Sequence, residues 1–209
     1  MSLSNEMLEL QVAQLRHDEI AHRDILWLPV PQRLTHMTLH YCKYVGRFAE
    51  AKKSGDMTIF VSAVLDSFII LLASANATNR RISQLAGVRP DQESLTLARY
   101  QAIVANDPMP KNASILDHAL VEFALLSGRM AKACESLDHL EKFDSRGAIE
   151  SALSEATCLL FRLAGRVQLD LADGISSRWS SVERKLIFSP QKVDLDPITM
   201  NPESRIFAK

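Results

Sequence analysis

The sequence predicts an all-α helical bundle, and three observations carry that prediction. Apolar residues recur at helical rather than strand spacing along most of the chain. Runs of β-branched residues are few, and only 7 of 209 residues are glycine. One helical pattern also appears twice, 82 residues apart. With 47% hydrophobic residues the chain can bury one core, or two small fused halves.

The elements follow in order. Leu8, Val12 and Leu15 give a first helix over about Ser4 to Leu26. Pro29 and Pro31 in "LPVPQ" break it, since proline cannot continue a helix. A second helix spans about Arg33 to Lys53, with Gly55 as a left-handed cap. Asp56 caps a third, extending to about Ala77. After "GVRPDQ" a fourth runs from about Asp91 to Ala105. The fifth covers about Ala113 to Leu140 and the sixth about Ala148 to Leu171, with a shorter helix near Ser177 to Ile187. One domain is expected over 1–188, followed by an extended or disordered tail over 189–209.

Charge and cysteine usage narrow the function classes. A formal net charge of −1, with no basic stripe, argues against a nucleic-acid binder. Cys42, Cys134 and Cys158 are odd in number and widely spaced, which disfavours a disulfide scaffold or structural zinc. The charged N-terminal stretch does not read as a signal peptide, and the run "FIILLASANA" is too short to span a bilayer. A soluble, cytoplasmic protein without membrane association is the expectation.

The repeat aligns "LTHMTLHYCKYVGRFAEA" (Leu34 to Ala51) with "LDHALVEFALLSGRMAKA" (Leu116 to Ala133), matching at 6 of 18 positions. The shared residues include His36 with His118 and the pairs Gly46–Arg47 and Gly128–Arg129. "DSFIILLASA" from Asp66 aligns in turn with "EATCLLFRLA" from Glu155. Two tandem divergent helix pairs, over about 33–79 and 113–171, would pack about a pseudo-twofold axis as an internal pseudo-dimer.

"YCKYVGRFAEA" followed by "AVLDSFIILLASAN" resembles the MazG-like all-α nucleoside triphosphate pyrophosphohydrolases over roughly 33–79. The resemblance implies a nucleotide ligand, a homodimer, and acids in an ExxE…ExxD arrangement that hold Mg²⁺. Residues three apart share a helix face, so two facing helices can offer four carboxylates to a hard cation. The implied ligand positions fall on Tyr44, Arg47, Ala63 and Asp66, and in the second half on Leu126, Arg129, Ala152 and Glu155. Asp66 is thus the one retained acid and the one candidate catalytic residue of the first half. Arginine cannot ligate Mg²⁺, so the ion is expected only if activity is retained. The expectation is instead either that Arg47 pairs with Asp66 and Arg129 with Glu155, each guanidinium bridging two helices, or that both arginines point to solvent.

Other residues extend this candidate site. His36, His40, Lys43 and Arg47 form a stripe on one helix that can hold an anion or present a solvated face. Two histidines four apart can also bind a transition metal, with His17, His22, Asp18 and Glu19 nearby in sequence. The second half keeps only His118, with Glu122 at the His40 position. Asp18, Glu19, Glu50 and Glu122 are the unmatched acids that could take over metal binding. Asn76, Asn79 and Arg80 either contact a nucleotide or serve a helix C-terminus. Arg178 and Trp179 either meet a base or partner, or belong to an amphipathic helix that buries its tryptophan. The readings are therefore a nucleotide-binding relative with reduced or lost catalysis, a non-catalytic helical interaction module, and a His-based metal site.

Overall fold

A computed structural model describes residues 1–110, 113–139 and 142–185. The expected tail over 189–209, and the end of the last expected helix at Ile187, lie outside the described residues. Among those described the chain is all-helical. The helices are α1 (Leu3–Ala21), α2 (Arg23–Leu26), α3 (Val30–Ser54), α4 (Met57–Ala77), α5 (Ile82–Leu85), α6 (Leu97–Val104), α7 (Ile115–Asp138), α8 (Ser145–Arg166) and α9 (Leu171–Glu183).

Local chemistry sets most boundaries. Gly55 ends α3 at φ 70°, in the left-handed region that glycine enters without cost, and its N–H bonds to the Ala51 carbonyl. Asp56 caps α4, its Oδ1 accepting from Thr58 N at 2.7 Å. Pro31 does not break a helix as expected. It lies in the first turn of α3, where a missing N–H is not needed. The expected helix from Asp91 is also shorter. Thr96 caps α6, its hydroxyl accepting from Arg99 N, and Pro90–Gln92 forms a separate 3₁₀ turn.

The largest correction concerns α1. Val12 and Leu15, taken from the sequence as its buried stripe, are 39% and 40% exposed. The buried stripe is instead Leu3, Met7, Gln11, Gln14, His17 and Asp18. Burial of amides is tolerated because each is hydrogen-bonded. Gln11 Nε2 donates to Asn76 Oδ1 and to the Arg80 carbonyl, while Gln11 Oε1 accepts from Ile82 N at 2.8 Å. Gln14 Nε2 donates to Asp18 Oδ1 at 2.7 Å, and Gln14 Oε1 accepts from Trp179 Nε1 at 2.9 Å.

The centre is a bundle of α3, α4, α7 and α8. Helices α3 and α7 run antiparallel. Thr38 meets Cys134, Tyr41 and Phe48 flank Phe123, and Lys52 forms an ion pair with Asp117. Helices α4 and α8 meet at Phe68 and Phe161, whose ring centroids are 5.0 Å apart. Helix α4 is the one described helix that is long and apolar enough to cross a membrane, although its apolar run alone reads as too short. Here it packs among α1, α3, α8 and α9. Helix α9 lies across α1 and α4.

Candidate functional site

Helices α1 and α3 both pack on α4, and α9 rests on α1 and α4. Between them opens a cleft of about 890 Å³, within the range of small-molecule sites. Of the candidate residues on the first helix pair, His36, His40, Lys43, Asp66, Asn76, Asn79 and Arg80 all line it. Arg47 does not. Residues near the C-terminus close the cleft, Arg178 and Trp179 from α9 among them.

Asp66 does not pair with Arg47. Arg178 Nε donates to Asp66 Oδ1 at 2.7 Å and Nη2 to Oδ2 at 2.8 Å, a bidentate bridge across 112 residues of sequence. Arg47 approaches only Glu50, at 3.8 Å, one helical turn away. The reason is positional: α9 packs on α4 and brings the Arg178 guanidinium to Asp66. Asp66 in turn raises the Arg178 pKa further above its usual range. In the second half the expected pair is present, with Arg129 Nη2 donating to Glu155 Oε2.

On α3 the cationic stripe is wired internally. Lys43 Nζ donates to His40 Nδ1 at 3.0 Å. Burial first, then the neighbouring Lys43, push His40 down to about 4, so its ring is neutral near pH 7. A neutral ring that accepts at Nδ1 carries its proton on Nε2, which donates to His36 Nε2 at 3.2 Å. Burial also lowers the Lys43 pKa. The result is a row of N–H groups along one wall of the cleft.

The end of α4 serves structure. Asn76 is bonded to Gln11 through both ends of its amide, Asn79 adopts φ 54°, and Arg80 forms an ion pair with Glu150 of α8. These are the helix C-terminal roles, although all three residues remain on the cleft wall. His118 and Glu122 lie away from the cleft. His118 is buried, its Nε2 has no hydrogen-bond partner among the described residues, and burial lowers its pKa.

Mg²⁺ does not fit the positions that the resemblance implies. Tyr44, Arg47 and Ala63 offer no carboxylate, and both oxygens of Asp66 are taken by Arg178. Among the described residues no three His, Cys, Asp or Glu side chains converge as a ligand set, and this includes Asp18, Glu19, Glu50 and Glu122. His36 Nε2 and His40 Nε2 lie 3.2 Å apart, with no third ligand converging on them among the described residues.

On the α1 wall the sequence pointed to His17, His22 and Asp18, which line the cleft, but not to Gln11 and Gln14. Asp18 lines the cleft while only 7% exposed. Burial pushes it up to about 6, and the hydrogen bond from Gln14 works in the opposite direction. Trp179 stacks on His17 with centroids 5.7 Å apart, and His17 Nδ1 meets Glu183 Oε1 at 2.9 Å. Glutamines carry no apolar signal, so only their spacing with Asp18 could have pointed to this face. Comparison with known protein families, with curated proteins and with solved structures returns no match.

Proposed function

We propose that this chain is a divergent MazG-like protein that binds a nucleotide in the cleft and has lost the metal-dependent hydrolysis of its relatives. One observation carries the reading: the sole acid left at the first set of ligand positions is bridged by Arg178 at the edge of a cleft that also presents Lys43, His36 and His40. A guanidinium and an ammonium hold phosphate directly, without a bridging ion. The tandem-repeat part of the proposal draws support from the antiparallel packing of α3 on α7 and from the contact of α4 with α8. Tyr44 and Leu126, at equivalent positions, are both buried near the α3–α7 crossing.

The test is melting temperature with ribo- and deoxynucleoside triphosphates, in EDTA and in Mg²⁺, beside an assay for pyrophosphate release. Stabilisation in EDTA without release is the expected result, about 2.7 kcal/mol at a hundredfold excess over Kd. Release abolished by Asp66→Asn would overturn the loss of catalysis.

The interaction-module reading, as a homodimer, is favoured by the outer face of α3 and α7. Leu39, Val121 and Leu125 are 64%, 54% and 59% exposed there, beside Gly46 and Gly128, around which a Cβ would meet nothing within 4 Å. Sedimentation equilibrium of the full chain and of Leu39→Lys/Leu125→Lys tests it. A wild-type monomer would sink this second reading.

A further inference from the structure

Asp18 lines the cleft from α1. It is an acid only 7% exposed to solvent, and it forms no ion pair with any described residue. Burying an acid in this way costs stability unless something compensates. Oδ1 is taken by Gln14 Nε2 at 2.7 Å. Gln14 cannot turn to serve the other oxygen, because its own Oε1 is held by Trp179 Nε1 at 2.9 Å. Oδ2 therefore has no partner among the described residues, on a side chain that lines the cleft.

The α3 and α9 walls have the opposite character. Arg178 uses Nε and Nη2 on Asp66, which leaves Nη1 without a protein partner among the described residues. Lys43 Nζ adds further N–H donors and His36 keeps the proton on its Nδ1, while both ring nitrogens of His40 are already engaged. The cleft thus presents donors on the α3 and α9 side and, on α1, a carboxylate oxygen whose position Gln14 fixes. A simple phosphate or polyphosphate would satisfy only the donors. A molecule that satisfies both walls carries an anionic group and, at its other end, an N–H donor.

We infer that Asp18 Oδ2 accepts an amino N–H of the ligand, so that the cleft selects phosphorylated molecules bearing an amino group over those bearing a keto oxygen at the same place. This rests on the cleft being an anion site, as proposed above. A keto oxygen facing Asp18 would set two acceptors against each other with no proton between them, and a site built for a donor rejects the analogue lacking it. Gln14 is the positioning residue: held by Trp179, it fixes which carboxylate oxygen is free.

The experiment is isothermal titration of the full chain in EDTA at pH 7.5, with pyrophosphate, cytidine and uridine 5′-monophosphates, and adenosine and inosine 5′-monophosphates. Each nucleotide pair exchanges an amino group for a keto oxygen and turns the neighbouring ring nitrogen from an acceptor into an N–H donor, so the keto member can donate to Asp18 only by shifting its base in the cleft. The amino member is expected to bind about tenfold or more tightly, the gain of one hydrogen bond to a charged acceptor. Asp18→Asn and Asp18→Ala should reduce that ratio to within about twofold, while pyrophosphate affinity stays unchanged in both. Arg178→Gln should weaken every probe. Equal affinities within each pair for the wild-type protein would overturn this inference and leave the nucleotide reading standing. A preference that survives both Asp18 variants would overturn the assignment to Asp18. Failure of every probe to bind, pyrophosphate included, would overturn the anion site and this inference with it.

Discussion

Asp66 and Glu155 align in the doubled sequence pattern, and they have met different partners. Asp66 is buried and bridged twice by Arg178 from a distant helix. Glu155 lies at the surface, its side chain 46% exposed, and takes one bond from Arg129 on the facing helix. The difference traces to α9, which packs on α1 and α4 and carries Arg178 to Asp66 at the edge of the cleft, whereas the short helices α5 and α6 pack on α8. Two acids that align in the sequence pattern thus lie in different settings, Asp66 on a cleft and Glu155 in a surface ion pair.

That contrast can be broken by substitution. The largest effect is expected at Asp66. Asp66→Ala strands Arg178 and should cost about 2 kcal/mol, below the 3–5 kcal/mol of a fully buried pair because Arg178 is partly exposed. Urea denaturation measures it, and a double-mutant cycle with Arg178→Ala should return most of the loss as coupling. Arg47→Ala should change stability by less than about 0.5 kcal/mol. An equal loss for both arginines would restore the Arg47 bridge that the sequence suggested.

Next come the titrating groups of the cleft, which act with opposite signs. Asp18 titrates near 6 when folded and near 3.8 when unfolded. Between these values the folded state holds a proton that the unfolded chain has released, so stability falls as pH rises through the window. Asp18→Asn should remove that slope and stabilise the protein at pH 7 by on the order of 2 kcal/mol, bounded by about 1.4 kcal/mol for each tenfold difference in proton affinity between the two states. His40 titrates near 4 when folded and near 6.5 when unfolded. There the unfolded chain takes the extra proton, so stability falls as pH drops through the window, and His40→Gln should remove this contribution. Melting curves from pH 4 to 7 on both variants separate the two. Slopes that match the wild type would show that neither group titrates as described.

Smaller again is the effect at the repeated glycines. Gly46 and Gly128 sit mid-helix with open space around them, so a Cβ would clash with nothing. Each change to alanine should stabilise by about 0.5–1 kcal/mol in thermal or urea unfolding of the monomer. If either destabilises at concentrations where the chain associates, the outer face is an interface. The smallest effect is at Glu155→Ala, within about 0.5 kcal/mol and screened by salt. A loss as large as at Asp66 would erase the distinction between the halves.

Most of the helical framework was legible because it depends on neighbours in sequence. Gly55 and Asp56 announce the α3–α4 turn by their own conformational and capping preferences. The Arg129–Glu155 pair was legible too, since both residues sit on the facing helices that the repeat identifies. The cleft was legible in part. Its α3 wall showed as the stripe His36, His40 and Lys43, whereas α1 was assigned the wrong buried face. Apolar periodicity favours Val12 and Leu15, and it is blind to Gln11 and Gln14, which are buried because hydrogen bonds across 65 to 165 residues satisfy them.

By itself the sequence determined the helical class, the main helix boundaries and the doubled pattern. Those are local properties of spacing, caps and residue type. The partner of Asp66, the buried face of α1 and the isolation of Asp18 were decided only by the tertiary structure. Each depends on where α9 and α1 come to rest on α4, and a carboxylate bonds to whichever donor packing brings within about 3 Å, however distant in sequence.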